Sequence, residues 1–115
     1  MDPGRLRELF DVIDAKRWDV FGDFFGADVV YERPGTRDVR GLGDLVRFYR
    51  DERRVASSVH HIDGSVVQGD RGAVWGHAEC VMADGTATDI GFADVFEFGG
   101  GRITLRRSHF FVPAV

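Results

Sequence analysis

Between residues 57 and 112 the chain divides into four β-branched and aromatic segments, 57–68, 73–83, 86–98 and 102–112. They are separated by Gly69-Asp70-Arg71-Gly72, Asp84-Gly85 and Gly99-Gly100-Gly101. Segments of this composition, punctuated by turn residues, read as a meander of antiparallel strands. A sheet has two faces, and each needs a partner layer or water, so the rest of the chain has to be read for what it can cover.

The first half is helical. Leu6, Leu9, Phe10 and Ile13 follow the i, i+3, i+4, i+7 spacing of an amphipathic helix, with Asp2 as N-cap and Pro3 at the first helical position, ending near Arg17. Val20, Phe21, Phe24 and Phe25 repeat the pattern for two turns until Gly26 stops it. Val29 to Arg33 reads as a strand closed by Pro34-Gly35, and Gly41 to Arg54 as a helix with Leu42, Leu45, Val46 and Tyr49 on one face. A chain of 115 residues has room for one domain, 1–115, and ten Phe supply bulk for one core. Helices followed by a meander make the fold class α+β, a curved antiparallel sheet around N-terminal helices.

A net charge of −4 provides no global field to attract nucleic acid or an anionic membrane, so neither is expected as a partner. Arg47, Arg50, Arg53 and Arg54 cluster, but Asp51 and Glu52 interrupt them, and they read as a solvated helix end. A single cysteine, Cys80, permits no internal disulfide. The opening Met-Asp-Pro-Gly-Arg lacks the apolar run of a signal peptide, and no stretch approaches the ~18 apolar residues of a membrane span. A cytoplasmic location is expected.

Turn chemistry sorts the faces. With Asp84-Gly85 as a two-residue type I′ turn, Ala83 pairs with Thr86, and Trp75, His77 and Glu79 fall opposite Asp94, Phe92 and Ile90. With the three glycines as the next loop, Asp94 faces Arg106 and Phe92 faces Ser108. His60 and Ile62 join the same face, so it carries His60, Trp75, His77, Glu79, Phe92 and Asp94, together with Phe96, Arg106, Ser108 and Phe110. The opposite face carries Val74, Ala78, Cys80, Ala93, Val95, Ile103, Leu105 and Phe111, with His61, Arg107 and His109. The helices can cover only one face. They are expected to close over the mixed one and leave a pocket, while the apolar outer face pairs with a second copy in a homodimer.

His77 and Glu79 lie two apart on one strand, where a carboxylate can orient an imidazole for acid–base work, with His60 at the same level. Asp94 among aromatic rings is a second candidate base or acid, or else the structural ion-pair partner of Arg106. Zinc on His60, His77 and Glu79 is chemically conceivable, but no metal is expected. Tyr31 and Arg33 precede the Pro-Gly turn and can polarise or bind an oxyanion. Trp75, Phe92, Phe96 and Phe110 are core or pocket wall.

The order of elements, with Tyr31-Glu32-Arg33-Pro34-Gly35, His60-His61-Ile62, Gly69-Asp70 and the closing Gly101-Arg102-Ile103-Thr104 to Phe110-Phe111, resembles the nuclear transport factor two-like superfamily, in its SnoaL-like and ketosteroid isomerase-like branch. The resemblance implies a cone-shaped α+β barrel and a pocket for a small, largely apolar molecule. It also implies proton-transfer chemistry without a cofactor: polyketide ring closure, ketosteroid isomerisation or epoxide hydrolysis. The last strand is similar to that of limonene epoxide hydrolase, whose Trp and Asp fall at Arg106 and Ser108. The expectation is a cofactor-independent cyclase or isomerase acting on a small carbonyl compound, in polyketide or other secondary metabolism. In it His77, Glu79, Asp94 and His60 move protons. Tyr31, Arg33, Trp75, Phe92, Phe96, Arg106, Ser108 and Phe110 hold the substrate. A binding protein of the same fold without turnover is the alternative.

Overall fold

A computed structural model describes residues 1–111. Helix α1 (Pro3–Asp14) starts where expected, with the Asp2 side chain accepting from Arg5 N at 2.9 Å. It stops three residues early, because Lys16 takes the left-handed conformation (φ 57°) and Arg17 N donates back to Val12 O. Leu6, Leu9, Phe10 and Ile13 are buried, as their spacing requires. The second expected helix is a short 3-10 turn, Trp18–Asp23, and Phe25 already opens strand β1 (Phe25–Glu32). After the short strand β2 (Val39–Arg40), helix α2 (Leu42–Arg47) widens into a π turn, Phe48–Glu52, closed by Arg53 N donating to Phe48 O at 2.9 Å. The extra residue of that turn buries Phe48 and Tyr49 side by side.

The meander is β3 (Val55–Gln68), β4 (Arg71–Met82), β5 (Ala87–Gly99) and β6 (Arg102–Phe110). The expected end of the last strand at Val112 lies outside the described residues. The sheet order is β2-β1-β6-β5-β4-β3, an open cone in which β1 runs parallel to β6 and every other pair is antiparallel. Bulges at Ala56, Asp63 and Thr104 add curvature. At the second of these the β3 backbone comes so close to Gly76 that a Cβ there would sit 1.9 Å from His61 O. The helices fill the concave side. No helix among the described residues is long and apolar enough to cross a membrane.

The face assignment of β4 is overturned. Asp84 keeps a negative φ and accepts from Thr86 N, Gly85 alone is left-handed (φ 87°), and Gly85 N donates to Met82 O. That is a three-residue loop, Ala83-Asp84-Gly85, which pairs Met82 with Thr86 rather than Ala83 with Thr86. A slip of one residue reverses every side chain of the strand. Trp75, His77 and Glu79 therefore point outward, and Val74, Ala78 and Cys80 point inward. Ile103 is likewise fully buried rather than outward, because the glycine loop is Gly100-Gly101 alone, so that Gly99 rather than Phe98 pairs with Arg102 and Ile103 falls opposite Phe98; the Thr104 bulge then returns Arg106 and Ser108 to the concave side.

Candidate active site

The concave face and the helices enclose a cavity of about 290 Å³ with mainly apolar walls that include Phe10, Ile13, Ala78, Ile90, Phe92 and Phe110. Of the expected site residues, His60, Asp94, Arg106, Tyr31, Arg33 and Ser108 all line it, as do Phe92 and Phe110. Phe96 is on the same face but packs into the core, 2% exposed. Trp75, His77 and Glu79 do not reach it. Outside, His77 Nδ1 bonds Asp89 at 2.8 Å, His61 Nε2 bonds Glu79 at 2.7 Å, and the two imidazoles stack 4.6 Å apart. The conceivable zinc triad is thus split between faces, and no cluster of three metal-ligating side chains occurs among the described residues.

The partner of His60 is Asp14, which the sequence reading missed. Its carboxylate projects from the last residue of α1 and takes three hydrogen bonds from β3: His60 Nδ1 at 2.5 Å, His60 N at 2.7 Å and Ser58 Oγ at 2.8 Å. A carboxylate at a helix C-terminus meets the negative end of the helix dipole, so these donors offset a local cost. Burial disfavours its charge, yet the His60 ring and backbone together with Ser58 outweigh burial, and the carboxyl is held below its usual range. A signal was present: Asp14 follows Phe10 at i+4 and so lies on the apolar stripe of α1. His60 Nδ1 is thus engaged by Asp14, and no protein partner for Nε2 occurs among the described residues.

At the buried end, Arg106 Nε and Nη2 lie 2.9 and 2.8 Å from Asp94 Oδ2, and Arg106 Nη1 donates to Tyr49 OH at 2.6 Å. The two-residue Gly100-Gly101 loop and the Thr104 bulge together set Asp94 directly across from Ser108, with Arg106 one pair along, opposite Phe96. Tyr31, in register with Arg106 on β1, packs its ring 4.6 Å from the Arg106 guanidinium, and its hydroxyl meets Ser108 Oγ at 2.8 Å. Burial opposes the Arg106 charge, but Tyr31, Tyr49 and Asp94 outweigh it, so the guanidinium stays protonated. Burial pushes the Tyr31 phenol up and keeps it neutral. Asp94 Oδ1 is buried without a hydrogen-bond donor. Tyr49, read from sequence only as one of a helical apolar stripe, accepts from Arg106 and so retains its own hydroxyl hydrogen for the cavity it lines. Burial pushes the Cys80 thiol up, which makes it an inert part of the wall.

This constellation can take up a proton at His60, donate one hydrogen bond to an oxyanion from Tyr49, and accept one hydrogen bond at Asp94. Ser108 is tied to Tyr31 and supplies no carboxylate at the position where the epoxide hydrolase pattern has one.

No protein of curated function matches the sequence. An NTF2-like protein of unknown function from Burkholderia pseudomallei superposes with a TM-score of 0.84 at 19% identity, over 94% of this chain and 88% of that one. An LEH-like epoxide hydrolase of M. tuberculosis gives 0.81 at 22% identity, over 95% and 81%. A protein from Jannaschia sp. CCS1 assigned as a SnoaL-like polyketide cyclase gives 0.80 at 15% identity, over 93% and 83%. At such identities these neighbours speak for the fold alone. The profile of the SnoaL-like domain matches residues 6–106, nearly the whole of the cone and its helices, and the chain belongs to that family, with the fold of its NTF2-like neighbours.

Proposed function

We propose that the protein is a cofactor-independent acid–base catalyst of the cyclase or isomerase type, acting on a small, largely apolar molecule with an enolisable carbonyl. The observation that carries this reading is the Asp14–His60 pair in the wall of an apolar cavity. The Asp14 carboxylate accepts from Nδ1–H, which fixes the neutral ring in one tautomer and leaves the Nε2 lone pair as the base. When Nε2 takes a proton from carbon, Asp14 stabilises the imidazolium. Charge developing on the carbonyl oxygen is met by the Tyr49 hydroxyl, polarised by Arg106 behind it. Nε2 then returns the proton to a carbon or oxygen of the intermediate, so that electrons balance without an oxidant or reductant. Asp94 positions Arg106, and its free Oδ1 suits a hydroxyl on the ligand. The setting proposed with this reading is polyketide or other secondary metabolism, and a single free cysteine agrees with a reducing cytoplasm.

The test is exchange of the α-protons of 2-tetralone in D₂O, followed by NMR. Wild-type protein should exceed the buffer rate, and Asp14→Asn should slow the protein-dependent rate by about 10²-fold. Binding of 2-tetralone with exchange at the buffer rate would mark a binding protein instead.

We infer in addition that the outer sheet face pairs with a second copy. The support is the set of large apolar side chains left exposed there, including Val59, Trp75 (41% exposed), Val81, Val95 and Phe111.

A further inference from the structure

Cationic side chains outnumber carboxylates on the cavity wall of an acidic chain. Three guanidiniums, Arg33, Arg53 and Arg106, line it against the carboxylate of Asp94, with Asp14 behind His60, while the whole chain carries −4. Arg106 is neutralised by Asp94. Arg33 and Arg53 are not: neither forms an ion pair or a side-chain hydrogen bond with any described residue, and the Nε of each is buried without an acceptor.

Both are held by aromatic faces. Arg33 Cζ lies 5.2 Å from the Phe48 ring centroid and 5.4 Å from that of Phe110, and Arg53 Cζ lies 5.0 Å from Tyr49 and 5.4 Å from Trp18. Such contacts orient a guanidinium without cancelling its charge or occupying its N–H donors. Burial and the proximity of Arg33 both disfavour the Arg53 cation. Two unpaired buried-Nε cations sharing one wall would ordinarily be replaced by apolar groups if only packing were at stake, since burying a lone donor costs free energy. An oxyanion placed between them satisfies both forks at once.

We propose that the ligand of this cavity is an apolar carboxylic acid whose carboxylate is held by Arg33 and Arg53. The aromatic walls suit a planar or fused-ring body, and a planar fork matches a carboxylate through paired N–H donors. Together with the proton-transfer reading, on which only this clause rests, the substrate is an oxo acid, with its carboxylate at the two arginines and its carbonyl toward His60 and Tyr49.

The test uses a matched pair, 2-naphthoate and 2-naphthamide, titrated calorimetrically into the full chain. The wild type should bind the acid about tenfold or more tightly than the amide. Arg33→Met and Arg53→Met should each remove most of that preference. Arg33→Lys and Arg53→Lys, which keep the charge and lose the fork, should retain part of it, and unchanged melting temperatures confirm folding. Equal wild-type affinities, no binding of either probe, or a preference that survives in both Met variants overturns the proposal. The same titration in a His60→Gln protein separates the two readings: a preserved preference there, with no proton exchange in the wild type, sinks the catalytic reading and leaves the acid-binding one standing.

Discussion

Asp14 Oδ1 lies 2.5 Å from His60 Nδ1, tying the last turn of α1 to the concave face of β3 across 46 residues of chain. The contact fixes the ring that faces the cavity and also fastens the helix layer to the sheet. The Asp14 carboxyl is held below its ordinary pKa, so its ionised form stabilises the fold fully above the unfolded-state value near 3.9, and that contribution is lost as pH falls through the lower folded-state value. Asp14→Asn should lower the urea midpoint at neutral pH, and its gap from wild type should narrow below about pH 4. A gap that persists undiminished to pH 2 would contradict this role.

Asp94 and Arg106 are 1% and 4% exposed, and removing one partner strands the other charge. Asp94→Ala should destabilise the protein by about 3–5 kcal/mol in urea unfolding. The double variant Asp94→Ala, Arg106→Met should recover much of that loss, because no charge is then left buried alone. If the double variant is as unstable as the sum of the singles, the pair is not coupled as described.

The β4–β5 hairpin gives a test of register. Deleting Ala83 leaves Asp84-Gly85 as a two-residue loop with Met82 still opposite Thr86, so the deletion should fold with stability within about 1 kcal/mol of wild type. Had Ala83 been paired with Thr86, the same deletion would turn the inward side chains of β4 outward and abolish the thermal transition.

The fold was legible because its signals are periodic: the α1 stripe, the glycine-marked turns, and the alternation of β5, whose Phe92, Asp94 and Phe96 all point inward as read. Asp94, Tyr31 and Arg33 line the cavity as read, whereas His60 was legible only because two errors cancelled. The extra loop residue at Ala83 reversed β4 and with it Trp75, His77 and Glu79. The bulge at Asp63 then reversed β3 once more, so His60 returned to the cavity side opposite Ala78. Asp-Gly is compatible with both loop lengths, and a bulge at Asp63 depends on the close approach that Gly76 allows, which no local pattern encodes. Asp14 was overlooked because a carboxylate at a helix end reads as solvated.

The outer face offers a separate test. Wild-type protein should sediment as a dimer at micromolar concentration, and Trp75→Glu, on the outward side of β4, should weaken association by about 100-fold. A wild-type monomer under those conditions would rule out the pairing.

The most direct measurement is α-proton exchange of 2-tetralone by His60→Gln and His77→Gln side by side with wild type. The two imidazoles face opposite sides of one sheet, and only His60 lines the cavity. His60→Gln should lose at least about 10²-fold of the protein-dependent rate. His77→Gln should stay within about twofold of wild type, as an exposed side chain away from the site. A retained rate in His60→Gln, or a loss in His77→Gln alone, would contradict the assignment.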